Sequence, residues 1–276
     1  MLVSRRNAIS MTTAGLIHVT ANPTALIADD QRINDERNSD QQNGDLLIRQ
    51  AEDRGHTDLG WLQSYHSFSF GRYRDEKHMG FRSLRVINDD RIAPGRGFPT
   101  HPHRNMEIIS YVLDGSLQHK DSTGKGAVIT PDDVQMMSAG RGITHSEYNP
   151  SRDLRNHFLQ VWIEPALRGA RPRYSDSKVT RDQKRAQWRQ IAGPEDSKAA
   201  VKIRQDASIF ATQLQRSESV NFTIERNRHA WLQVARGTLV VNGTRLRSGD
   251  AVATSRPTNL HITAADPTDA LLFELG

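Results

Sequence analysis

From Asp45 to the C-terminus, apolar residues come in short runs broken by Gly, Pro, Asn or Asp. The clearest runs are Leu84–Ile87, Glu107–Leu113, Val134–Met137, Phe158–Ile163, Trp231–Val234, Leu239–Val241 and Ala270–Leu275. Val, Ile, Leu and aromatics dominate them, and these side chains suit a pleated, half-buried surface. Asp114-Gly115, Thr123-Gly124, Asn242-Gly243 and Ser248-Gly249-Asp250 fall between runs, where a chain reversal needs residues that tolerate positive φ. Short strands at this spacing predict an all-β chain of antiparallel sandwiches or barrels. One stretch only, Arg181–Ile191, predicts a helix, and a short one.

The pattern repeats. Val112-Leu113-Asp114-Gly115-Ser116-Leu117 leads to Thr130-Pro131-Asp132-Asp133-Val134. Later, Val234-Ala235-Arg236-Gly237-Thr238-Leu239 leads to Leu246-Arg247-Ser248-Gly249-Asp250-Ala251-Val252. Each is strand, tight turn, strand, then an Asp-bearing turn before another strand. Two related β units follow, with a boundary expected near residue 170: a first domain over 45–170 and a second over 171–276.

Composition narrows the chemistry. The 276 residues contain no cysteine, so disulfides and thiolate metal sites are excluded, and any metal must take histidine, carboxylate or water. No run of 18 or more apolar residues follows the first 30, so no membrane-spanning helix is expected in the body. The net charge is +5, and 171–205 alone has an excess of six, ten basic side chains against four acidic ones, so the rest of the chain nearly balances. Only Tyr174 and Trp188 stand among those charges and no nucleic-acid motif accompanies them, so the segment reads as a solvated linker between domains. At the N-terminus, Arg5 and Arg6 precede a mildly apolar run from Ala8 to about Ala28, the pattern of a twin-arginine export signal. A periplasmic location follows if that signal works, and a cytoplasmic one otherwise. Residues 29–44 read as a flexible polar linker.

The chemistry concentrates in two short stretches. His101-Pro102-His103 follows Gly97-Phe98-Pro99-Thr100, and His145-Ser146-Glu147 follows Gly140-Arg141-Gly142-Ile143-Thr144. Side chains alternate faces along a strand, so His101 and His103 share a face, as do His145 and Glu147. An antiparallel neighbour can bring the two pairs together. Three imidazole nitrogens and one carboxylate suit Fe, Cu, Ni, Co or Zn and leave positions open for substrate or dioxygen. Glu107 has the parity of His103 and is a candidate to orient a ligand imidazole by hydrogen bond. His66, His78, His119 and His157 are isolated in sequence and read as packed or surface histidines. Arg228-His229-Ala230-Trp231 stands where the second unit would carry its ligands, which reads as a lost metal site.

His101-Pro102-His103, Met137-Ser138-Ala139-Gly140-Arg141-Gly142-Ile143-Thr144-His145-Ser146-Glu147 and Gly60-Trp61-Leu62-Gln63-Ser64-Tyr65-His66-Ser67-Phe68-Ser69-Phe70 together resemble the pirin family of the cupin superfamily. Trp231-Leu232-Gln233-Val234, Asn242-Gly243 and Leu271-Leu272-Phe273-Glu274-Leu275 resemble the bacterial pirin-like quercetin 2,3-dioxygenases in particular. The resemblance runs from about Asp45 to the end. It implies a bicupin of two jelly-roll barrels, with one divalent cation, Fe(II) first among the candidates, held in the first barrel by His101, His103, His145 and Glu147. The implied reaction is cleavage of a flavonol such as quercetin by dioxygen with release of carbon monoxide, and Glu147 would serve as base. A monomer acting on a small molecule, with neither nucleic acid nor membrane as partner, is the expected state. The alternative is a non-enzymatic metal-bearing protein like the transcription-cofactor pirins, or another small-molecule cupin enzyme.

Overall fold

The structure, a computed structural model, describes residues 46–276. The export-signal reading of residues 1–28 and the linker reading of 29–44 lie outside the described residues. Among those described, no helix is long and apolar enough to cross a membrane.

Among the described residues, twenty-two strands form four sheets. In the first half, β4 (Leu84–Ile92), β6 (Glu107–Asp114), β9 (Asp133–Ser138) and β11 (Asn156–Ile163) lie in one seven-stranded sheet, in the order β9-β6-β11-β4. Opposite them, β5 (Gly97–His103), β7 (Leu117–Asp121), β8 (Gly126–Ile129) and β10 (Ile143–Tyr148) form a four-stranded sheet, in the order β5-β10-β7-β8. The second half repeats this order. There β15 (Ala207–Leu214), β17 (His229–Arg236), β20 (Ala251–Thr254) and β22 (Thr268–Leu275) run β20-β17-β22-β15. Facing them, β16 (Ser219–Ile224), β18 (Thr238–Val241), β19 (Thr244–Arg247) and β21 (Thr258–Ala264) run β16-β21-β18-β19. Every strand from β4 to β11 thus has a counterpart eleven positions later. These are jelly-roll sandwiches, the cupin architecture, and the sheets stay open rather than closing into barrels.

The repeat corrects one expectation. His101 and His103 lie on β5, whose counterpart is β16, while His229 opens β17, the counterpart of β6. Arg228-His229-Ala230-Trp231 therefore does not stand where the ligands would be.

Sheet membership crosses residue 170. β12 (Arg173–Lys178) pairs with β9 of the first large sheet, and β1 (Leu47–Arg49) pairs with β20 of the second. The basic segment is not a solvated linker. It contains β12, the four-residue helix α1 (Arg181–Lys184), β13 (Arg189–Gly193) and β14 (Val201–Lys202). Much of its charge is engaged. Lys184 is buried, donates to Pro131 O at 3.0 Å and lies over the Tyr111 ring. Lys178 pairs with Asp133 at 2.8 Å, and Arg204 donates to Ser138 Oγ at 2.8 Å. Helix α1 starts on a Thr180–Gln183 capping box and stops after four residues, and Ile191 belongs to β13.

The two large sheets share a core. Ile109, Tyr111, Leu113, Leu159 and Val161 pack in one cluster with Ile209, Trp231, Leu271 and Phe273. The central strand β6 is buried on both faces, which is why it reads as a nearly unbroken apolar run.

Candidate metal centre

Strands β5 and β10 carry the two motifs and pair antiparallel, with His145 opposite His101 and Ile143 opposite His103. Close approach of the two strands depends on Gly97, since a Cβ there would come within 2.1 Å of the Glu147 carbonyl oxygen. At the turn into β10, Gly140 has φ +48° and its space is filled by the Ala170 carbonyl, so only glycine fits without strain.

The three imidazoles converge. Ring centroids lie 4.5 Å apart for His101 and His145, and 4.8 Å apart for each of the other two pairs. His101 Nδ1 donates to Pro99 O at 2.8 Å. A carbonyl only accepts, so His101 carries its proton on Nδ1 and leaves a lone pair on Nε2. That nitrogen faces His145 Nε2 at 3.0 Å. The separation matches two adjacent ligands at about 2.1 Å from one cation at right angles. Burial first, and the neighbouring imidazoles second, pull His103 down to about 4 and His145 down to about 3. Both are therefore neutral at pH 7, the form that can ligate.

Glu147 lies apart from that triangle. Its Oε1 accepts from Ser110 Oγ at 3.3 Å and its Oε2 from Gln160 Nε2 at 2.8 Å. Two groups of possible ligands result, His101, His103 and His145 in one, and His119, His145 and Glu147 in the other. The donor chemistry fits a divalent first-row cation in the first group, and Glu147 shares His145 with that group.

His119 is the residue that sequence reasoning missed. It is buried on β7, opposite Glu147, and touches His145. Its signal was its place in Leu117-Gln118-His119-Lys120-Asp121, where its parity with the buried Leu117 turns it inward. The other isolated histidines are packed or paired: His66 with Asn88, His157 with Asp89, and His78 with Asp75.

Glu107 does not orient a ligand. Its carboxylate accepts from Ser138 Oγ at 2.6 Å and from the Arg204 backbone N–H at 3.3 Å. Asn105, with φ +50°, breaks the strand between His103 and Glu107, so parity does not carry across. On β6, Glu107 shares its face with Ile109 and Tyr111, which join the core between the large sheets, while Ser110 points at Glu147.

The floor of the site is a polar row. Register places His66 beside Asn88, Asn88 beside Gln160, Gln160 beside Ser110 and Ser110 beside Gln135, across β3 (Leu62–His66), β4, β11, β6 and β9. Asp90 is also wholly buried here, and burial raises its carboxyl to about 7, with Asp89 and Glu147 adding to the effect against a Ser64 hydrogen bond. Trp162 stands edge-on to His103 at 4.9 Å and also walls a cleft of about 370 Å³ with Phe70, Tyr73, Met79 and Met106. A larger recess, about 570 Å³, is lined by Arg181, Arg185, Arg236 and Asp269 and shares no residue with the histidine cluster.

The Pirin family profile matches residues 48–163, and the profile described as the quercetinase C-terminal cupin domain matches 190–275. The chain is 40% identical over 230 residues to quercetin 2,3-dioxygenase of Escherichia coli K12, covering 83% of this chain and 98% of that protein. It is 38% identical to a pirin-like protein of Caulobacter vibrioides, with 83% and 99% covered. Among solved structures, the E. coli bacterial pirin YhhW in complex with nickel(II) superposes with a TM-score of 0.78 at 39% identity, over 83% of this chain and 98% of that one.

Proposed function

This chain belongs to the pirin family of the cupin superfamily, and from that premise we propose that it is a metal-dependent dioxygenase that cleaves a flavonol such as quercetin with O2 and releases carbon monoxide. The observation that carries the reading is the facing pair of Nε2 atoms on His101 and His145, 3.0 Å apart, with the neutral His103 completing the triangle. We assign the ligands as His101, His103, His145 and Glu147, with one cation per chain, and Fe(II), Co, Ni, Cu or Zn as candidates. The substrate class rests on the name of the E. coli relative.

A divalent cation held there would act as a Lewis acid toward the flavonol 3-oxygen and favour its ionised form. Glu147 would take that proton as a general base. Ser110 and Gln160 hold its two oxygens, so the carboxylate is aimed before substrate arrives. Each carboxylate oxygen has a second lone pair, so Glu147 could ligate while keeping these hydrogen bonds. Trp162 packs against His103 in a T-shaped contact, with ring centroids 4.9 Å apart. The cleft it shares is of ordinary ligand-pocket size and rich in aromatic surface, suited to a planar ring system. The two jelly-roll units, 45–170 and 171–276, would then divide the work, the first holding the cation and the second supporting it, each lending an edge strand to the other.

The test is aerobic turnover of quercetin by protein loaded in turn with each of the five metals, following loss of flavonol absorbance and release of carbon monoxide. Consumption of flavonol with carbon monoxide formed is expected with at least one metal. No consumption with any of them sinks the dioxygenase reading.

A further inference from the structure

Register shows what the second sandwich carries at the place of the metal centre. His103 and Ile143 close one end of the β5–β10 ladder, and His101 and His145 lie two residues in. In the second half, Ile224 and Thr258 close the corresponding end of the β16–β21 ladder, and Phe222 and Leu260 lie two residues in. Phe222 and Ile224 thus stand where His101 and His103 stand. Phe222 meets Trp188 edge-on, with centroids 5.9 Å apart, and Phe210 at 5.0 Å. All three rings are only partly buried. Trp188 and Phe210 wall a recess of about 310 Å³ together with Arg189 and Lys198.

The polar chemistry of this recess is one-sided. Arg189 and Lys198 bring two positive charges, and among the described residues no Asp or Glu lines it. Trp188 Nε1 and Arg189 Nε are buried N–H donors without a hydrogen-bond partner. Neither nitrogen accepts, so only an acceptor satisfies them. The glutamines of the lining are already engaged: Gln183 Oε1 accepts from the Thr180 backbone N–H at 3.0 Å, and Gln190 Nε2 donates to Ser208 Oγ at 2.9 Å. Buried donors left unpaired are costly, and here the missing acceptor must come from outside the chain.

Unpaired donors and two cations beside aromatic walls suit a ligand that is flat, apolar on its faces and anionic at one end. We infer that the mouth of the second sandwich binds a small aromatic carboxylate. Its ring packs against Trp188 and Phe210, and its carboxylate accepts from Arg189 and from Trp188 Nε1, with Lys198 adding charge. Both donor nitrogens are closed to bulk water, so the bound carboxylate meets them after a small side-chain shift of the kind common on binding. The volume is at the low end for ligand pockets and suits a single substituted ring. An inorganic anion would answer the charge and leave the aromatic walls unused, and a neutral arene would do the reverse. The recess shares no residue with the histidine cluster or with the cleft beside Trp162, so the inference stands apart from the dioxygenase reading.

The experiment is a ¹H–¹⁵N titration of the full chain, metal-free and zinc-loaded, with sodium benzoate, read at the tryptophan indole N–H resonances. The Trp188 resonance reports on the recess and the Trp162 resonance on the metal centre, each assigned by its absence from Trp188→Phe or Trp162→Phe. Benzoate should shift the Trp188 resonance saturably with or without zinc. Inorganic phosphate and benzyl alcohol, which carry the charge and the ring separately, should each bind there at least about tenfold more weakly, and Arg189→Gln with Lys198→Gln should weaken benzoate by about tenfold or more. A Trp188 resonance that benzoate leaves unmoved overturns the inference, whether or not Trp162 responds. So does either separate probe binding as tightly as benzoate, and so does a benzoate affinity unchanged in the double variant. If the double variant fails to fold, the three probes on wild type decide the matter.

Discussion

The insides of the two sandwiches are built on the same strand order and filled with opposite chemistry. Across β15, β22, β17 and β20, register lines up Phe210, Leu272, Leu232 and Val252. These join Val220, Ile224, Leu260 and Ile262 of the facing sheet in one continuous apolar core. In the first sandwich the apolar core is split. Leu62, Ile92, Val112, Leu117, Ile129 and Phe158 form one cluster, and Ile108, Met137, Ala139 and Ile143 another. The row of Asn88, Gln160, Ser110 and Gln135 runs across its large sheet, with His145, Glu147 and His119 on the facing one. A jelly roll can be closed by apolar packing alone, as the second half is. The first half gives up part of that packing to hold a hydrogen-bonded polar layer, and buried polar groups are retained at such a cost only when they are satisfied or used.

The largest effect should come from removing two imidazoles at once. His101→Ala with His145→Ala leaves too few donors to offset dehydration of the cation. Elemental analysis of protein purified without added metal should fall from about one equivalent per chain or less to background. Retention of a full equivalent would assign the cation elsewhere, and two tightly bound ions in wild type would break the contrast between the halves.

Next is the pair of glutamates. Glu147→Gln keeps the size and an oxygen but removes the base, so flavonol turnover should drop about a hundredfold or more while the fold persists. Glu107→Gln changes a group that faces the second half and touches Ser138 and Arg204, so its turnover should stay much closer to wild type. Loss of metal in Glu107→Gln with near-normal Glu147→Gln would reverse the assignment.

The second sandwich gives the converse test. Ile262 is fully buried opposite Val220, and Ile262→Ala should cost roughly 2–5 kcal/mol of stability in denaturant melts. Metal content of the folded protein should not change. A parallel loss of metal would mean that the apolar half shapes the site.

Much of this contrast was legible in the sequence, and the part that was not has a physical reason. The strand runs and turn dipeptides are local signals, and Asn242-Gly243, with φ of +47° and +85°, sits at the tip of the β18–β19 hairpin as its composition predicts. His101, His103 and His145 were found by parity within single strands, which is also local. Parity failed for Glu107 because one left-handed residue, Asn105, intervenes. The polar row was visible as single interruptions, such as Ser110 in Ile108-Ile109-Ser110-Tyr111 and Gln160 in Leu159-Gln160-Val161, but its meaning depends on register between strands far apart in sequence. The basic segment misled because charge was read without partners. Lys184 is buried by its stem and satisfied by a carbonyl and a ring, neither of which a composition count records.

The smallest effect, and the most specific to the polar layer, concerns Asp90. Burial raises its carboxyl from the ordinary carboxylate range to about 7, and one of its oxygens, Oδ1, has no hydrogen-bond partner. Ser64 stabilises the ionised form, Arg91 attracts it, and Asp89 and Glu147 repel it. A group whose pKa is raised on folding binds its proton more tightly in the folded chain. Its contribution to stability is therefore fully present below the unfolded value and is lost as pH rises through about 7. His103 and His145, held near 4 and 3, act the other way, removing stability as pH falls below the ordinary histidine value. The raw profile mixes these opposed effects, so the measurement is the difference between wild type and Asp90→Asn, both metal-free. Asn cannot ionise, and the variant should gain on wild type as pH rises from about 5 to 7 in matched denaturant titrations, the interval in which only the folded chain holds the proton, with the gain levelling off above about 8. A difference that does not vary with pH across this range would mean that Asp90 is ionised throughout, and that some donor in the polar layer satisfies its free oxygen.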